Sequence, residues 1–67
     1  MHELTSLVQA ILNHLGETPP LKVDGVEGPL TKKAVEQFQR AYSLKADGVV
    51  GPLTTAALVK ALEAKKT

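Results

Sequence analysis

This chain of 67 residues predicts an all-α fold: a compact domain of three short helices with an internal repeat of a loop-to-helix motif. Three observations predict it. Apolar residues recur at helical spacing in three segments. Pro29 and Pro52 each follow a glycine and open such a segment, at the one helical position where proline's missing N–H goes unused. The apolar residues are mostly Leu, Val and Ala, with Phe38 and Tyr42 the only aromatic side chains. That composition suits small packed helices better than a sandwich.

Size limits the chain to a single domain spanning 1–67. With no cysteine, no disulfide or thiolate metal site can staple it, so the core comes from apolar packing alone. A formal net charge of +1 with mixed signs along the chain is not the basic footprint that grips a nucleic acid by its phosphates. The longest apolar stretches fall far short of a membrane span. The opening "MHELTSLVQAIL" lacks the basic region of a secretory signal.

The first segment carries Leu4, Leu7, Val8, Ile11, Leu12 and Leu15 on one helical face, and Gly16 follows as a left-handed stop. This predicts a helix over about 4–15. Ser6 and Gln9 have capping-box spacing, which would put the first turn there instead. In "ETPPLKVDGVEG" two prolines and two glycines forbid a helix, while Leu21 and Val23 alternate with Lys22 as a short extended piece, apolar side chains inward. The second helix is expected over 29–42, with Leu30, Ala34, Val35, Phe38, Ala41 and Tyr42 inside and Lys32, Lys33, Glu36, Gln37 and Arg40 outside. The third is expected over 52–64, with Leu53, Ala57, Leu58, Ala61 and Leu62 inside and a solvated basic end, "EAKKT", after it.

"DGVEGPLTKKAV" from Asp24 and "DGVVGPLTTAAL" from Asp47 are nearly the same phrase. Each shared residue has a local task. Asp24 and Asp47 accept backbone N–H groups in a turn. Gly25 and Gly48 supply a backbone angle that a side chain resists. Gly28–Pro29 and Gly51–Pro52 end the loop and start the helix. Leu30 and Leu53 are expected to dock the first turn on the core, and the Thr31 and Thr54 hydroxyls to bond a nearby backbone group.

No catalytic constellation is present: His2 and His14 stand far apart without acids at ligand spacing, and Thr31 and Thr54 have no histidine beside them. Neither loop has the alternating ligands of a calcium loop, since Val50 stands where the first copy has Glu27. No catalytic residue, metal or cofactor is therefore expected. A helix-turn-helix reading fails on the long second loop and on a third helix, "PLTTAALVKALEA", that offers little to read bases with. The candidate ligand-binding residues are Gln39, Arg40, Tyr42, Lys45 and Asp47, clustered around the second copy. Tyr42 can stack on a sugar and Arg40 can meet a carboxylate. Gln39 can face a ligand or cross-link a loop to the second helix, and the prevalence of side-chain bonds to backbone favours the cross-link.

Together these residues resemble the small three-helix type of peptidoglycan-binding domain found beside cell-wall hydrolases and in phage endolysins. The likeness rests on Asp24-Gly25, Gly28-Pro29, Thr31, Ala34-Val35, Phe38-Gln39, Leu44, Asp47-Gly48, Gly51-Pro52, Thr54 and Ala57-Leu58, with Gln9 at the usual glutamine of the first helix. It implies a non-catalytic module that holds an enzyme or assembly on the wall by its glycan or stem peptide. It also implies a monomer that is part of a larger protein, located in the cell wall or periplasm or encoded by a phage. Related copies that dock protein inside phage particles or secretion machinery give the alternative. Two departures stand out: Glu27 and Thr55 occupy positions where the family often has an aromatic residue and Trp. Aromatic stacking is thereby removed from those two places.

Overall fold

The computed structural model describes residues 3–17 and 20–66; Met1, His2, Thr18, Pro19 and Thr67 lie outside the described residues. Three helices follow in order, α1 (Glu3–His14), α2 (Pro29–Ala41) and α3 (Pro52–Lys66), and no strand occurs among the described residues. A Cα radius of gyration of 10.8 Å matches the value of about 11 Å expected for a well-packed domain of this length. α1 and α3 pack against each other. The core is aliphatic: Val8 and Leu12 of α1, Leu21 of the first loop, Ala34 and Val35 of α2 and Leu58 of α3, flanked by the half-buried Ile11, Leu15, Phe38 and Val50.

Both α1 and α2 end in the same way. Beyond α1 the Gly16 N–H donates to the Asn13 carbonyl (3.0 Å) and the Glu17 N–H to that of Leu12 (3.0 Å), with Gly16 at φ 107°. Beyond α2 the Ser43 N–H donates to Arg40 (3.1 Å) and the Leu44 N–H to Gln39 (2.7 Å), with Ser43 at φ 59°. These paired bonds back into the last turn form Schellman caps, which satisfy carbonyls the helix leaves open. The second cap uses serine where glycine is usual, a strained choice for an L-residue.

Several expected inner residues face outward. Leu30 is 68% exposed and Leu53 75%, while the next residues, Thr31 and Thr54, are buried. Successive residues turn by about 100° around a helix, so burying the threonine swings its leucine to solvent. The same rotation exposes Ala41 and Tyr42 and puts Gln39 inside. Leu4, Leu7 and Val23 are also exposed: α1 turns Val8, Gln9 and Leu12 inward, and of the extended piece only Leu21 reaches the core. Ser6 and Gln9 lie well inside α1, which begins at Glu3, so they do not frame its first turn. α3 carries helix through Lys65 and Lys66, taking the basic end into its last turns.

Candidate ligand-binding site

Two buried glutamines position the surface features. Gln9 and Gln39 are each only 1% exposed. Gln9 Nε2 donates to Asp24 Oδ1 (3.2 Å), the Val26 carbonyl (3.0 Å) and Thr31 Oγ1 (3.0 Å). Its Oε1 accepts the N–H groups of Asp24 (3.1 Å) and Gly25 (3.0 Å). Gln39 repeats the pattern one loop later. Its Nε2 donates to Asp47 Oδ1 (3.2 Å), the Val49 carbonyl (3.0 Å) and Thr54 Oγ1 (3.0 Å), and its Oε1 accepts the Gly48 N–H (3.0 Å). One amide thus ties together a helix, the following loop and the third residue of the next helix. No buried side-chain nitrogen or oxygen among the described residues lacks a partner, as low-dielectric surroundings require.

The aspartates complete each loop. Asp24 Oδ1 accepts the Val26 N–H and Asp47 Oδ1 the Val49 N–H, both at 2.9 Å. The Val26 N–H first, then the Gln9 amide, hold the Asp24 carboxyl below its ordinary 3.8. For Asp47 the Val49 N–H is the main cause of the same downward shift; partial desolvation opposes it and the Gln39 amide adds to it. Both shifts come from hydrogen bonds to the charged form. Gly25 and Gly48 sit at φ 73° and 74°, the left-handed region. Around Gly48 there is also no room: a Cβ there would lie 2.8 Å from Cγ of Lys32. A third amide, Asn13, clamps the first loop, with Nδ2 donating to the Leu21 carbonyl (2.7 Å) and Oδ1 accepting the Leu21 N–H (2.6 Å).

Three of the concave places on the surface are lined by described residues. The largest, about 430 Å³, runs where Leu15–Glu17 after α1 meet the end of α2 and Ala61 of α3, with Gln37, Phe38 and Tyr42 on one wall. There the Tyr42 ring, 46% exposed, stacks on Phe38 at a centroid distance of 4.4 Å and an interplanar angle of 28°. The other two are shallower. One of about 180 Å³ lies over the first clamped loop and is lined by residues from Leu21 to Thr31. One of about 240 Å³ lies over the second, lined by residues from Leu44 to Thr54 together with Gln39. In the register that lays Asp24 on Asp47, every residue lining the first has an identical counterpart lining the second: Leu21 and Leu44, Lys22 and Lys45, Val26 and Val49, Leu30 and Leu53 among them.

The five candidate ligand residues are therefore divided. Tyr42 walls the large groove, Lys45 and Asp47 line the second shallow depression, and Arg40 is exposed and lines neither. Gln39 touches that depression only from below, its amide engaged by the loop. Sequence reasoning missed Gln9 and Asn13 as clamps, and Phe38 and Glu17 as groove residues. The signal for Gln9 is present: each Asp-Gly/Gly-Pro-Leu-Thr phrase is preceded by a glutamine on the preceding helix. The longer first loop hides it, since Gln9 lies 15 residues before Asp24 whereas Gln39 lies 8 before Asp47. No cluster of three or more His, Cys, Asp or Glu able to hold a metal occurs among the described residues, and no helix is long and apolar enough to cross a membrane.

No curated protein and no solved structure matches the chain. A protein family does: the one described as "Putative peptidoglycan binding domain", over residues 2–58. That match takes in both clamping glutamines, both loops and the aromatic pair, so the chain belongs to the peptidoglycan-binding domain family.

Proposed function

We propose that this domain is a non-catalytic module that holds a partner enzyme or assembly on peptidoglycan, and that the groove walled by Tyr42 takes the glycan. The family supports peptidoglycan as the ligand. The observation that carries the choice of groove is the half-exposed Tyr42 ring, backed by Phe38 at 4.4 Å. A ring already packed on one face loses little freedom on binding and offers its other face to the C–H side of a sugar. Glu17 and Gln37 in the same groove bring polar groups to hydroxyl and acetamido substituents. The module needs only modest affinity, because tethering raises the local concentration of wall seen by whatever is attached.

Sedimentation with insoluble, purified peptidoglycan tests this reading. The domain is expected in the pellet. Tyr42→Ala, at an exposed position, is expected to keep its helical signal and bind about tenfold less, or ~1.4 kcal/mol. Recovery of the unmodified domain wholly in the supernatant overturns the proposal.

A further inference from the structure

We infer that the two shallow depressions are a pair of equivalent subsites for the peptide stems of the wall polymer, distinct from the aromatic groove. The inference rests on the reading of the domain as a wall binder.

Their likeness is not explained by folding alone. Val26 and Val49 are each 63% exposed, and Leu30 and Leu53 more so; Lys22 and Lys45 are exposed as well. Side chains so open to solvent contribute little to packing, and the fold does not require the same residue twice. Exposed positions outside the depressions differ between the copies: Lys32 becomes Thr55 and Lys33 becomes Ala56. The exposed residues inside them do not differ.

The chemistry selects the occupant. Each depression pairs a branched aliphatic surface with one ammonium group and one aspartate, Asp24 or Asp47, whose Oδ1 is already engaged by its own loop, and neither contains an aromatic ring, since Phe38 and Tyr42 both line the other groove. Their volumes, about 180 and 240 Å³, fall below the roughly 300 Å³ at which pockets begin to enclose a whole small ligand. Each therefore suits a branch of a polymer rather than its sugar backbone: a short peptide with methyl side chains resting on the Val–Leu pair and a carboxylate meeting the lysine. A polymer carrying many such branches can engage both subsites at once, which multiplies retention without a new contact.

The test uses the 67-residue chain, isotopically labelled, and two soluble probes: a sugar-free tetrapeptide stem with a free carboxylate, and a peptide-free N-acetylated glycan oligomer. The stem is expected to shift the amides of Val26 and Leu30 and those of Val49 and Leu53 with midpoints within about threefold, while the glycan shifts residues around Tyr42. Lys22→Gln with Leu30→Asn should abolish the first set alone, and Lys45→Gln with Leu53→Asn the second alone. Each pair should lower retention on intact wall about tenfold or more, with unchanged urea midpoints. A stem that shifts neither loop, or only one, while the glycan still shifts Tyr42 overturns the paired subsites and leaves the wall-binding reading standing. Silence from both probes with no retention on intact wall removes that reading and the inference with it.

Discussion

At the scale of single residues, the two buried glutamines matter out of proportion to their number. Each serves four or five partner groups in the following loop and helix with one planar amide, a match that no other side chain of similar volume provides, since an ionised Glu lacks the donors and Leu and Met lack the amide's donors and carbonyl. Replacing Gln39 by Ala strands a buried threonine hydroxyl and a buried glycine N–H. At about 1–3 kcal/mol for each of the two unsatisfied groups, the expected loss is about 2–6 kcal/mol, against a total of about 3–5 kcal/mol for a domain this small. Urea denaturation should show Gln39→Ala largely unfolded; a loss under about 1 kcal/mol would contradict the clamp. Ser43 offers the opposite opportunity. Its left-handed backbone, φ 59°, costs an L-residue about 1–2 kcal/mol, whereas glycine returns only about 0.5–1 kcal/mol of that through its freer unfolded chain. Ser43→Gly is therefore expected to raise stability by about 0.5–1 kcal/mol, read from the same denaturation curve.

At the scale of elements, each loop is tied by a side-chain amide to the helix that precedes it. The first loop is the longer, and it has a clamp the second lacks: the bidentate Asn13 amide on Leu21, whose side chain reaches the core. Asn13→Ala leaves that backbone pair partly open to water. We expect a cost of about 1–2 kcal/mol, with faster amide exchange at Leu21 and Asp24 and little change in the second loop. Uniform acceleration through both loops would mean that Asn13 holds the whole domain rather than one connection. The helix entries were legible as local chemistry, because Gly-Pro restricts the chain within a few residues. The facing of each helix was not, because Leu30 and Thr31 fit a helix equally well and only a glutamine on another helix decides between them.

At the scale of the molecule, both loops depend on an ionised aspartate, so acid should weaken the whole domain. The Asp24 and Asp47 carboxyls lie below their ordinary 3.8 in the folded state. A lowered folded value means that the unfolded chain takes up protons first as pH falls. Their contribution is thus fully present above 3.8 and is lost as pH drops from there through the lowered folded values. Urea midpoints measured from about pH 5 downward should fall in that window, and the double variant Asp24→Asn, Asp47→Asn should flatten the acid limb. It keeps a side-chain oxygen for the Val26 and Val49 N–H groups while removing the charge. An unchanged slope would place the acid sensitivity elsewhere. On this scale the candidate site was only partly legible: Tyr42 and Lys45 could be picked out as exposed polar and aromatic groups near one loop. Their separation into an aromatic groove and an aliphatic depression depends on how three helix ends converge.

The sequence by itself determined where α2 and α3 start, about where α1 and α2 stop, that the core is aliphatic, and that two loops share one construction, because caps, proline entries and apolar spacing act over a few neighbouring residues. Only the tertiary structure decided which side of each helix is buried. A glutamine amide finds its aspartate, glycine and threonine across 15 or 8 residues of chain, and satisfying that buried polar group outweighs keeping Leu30 and Leu53 out of water. Long-range hydrogen-bond complementarity leaves no periodic trace in a sequence, so it becomes visible only when the chain is folded.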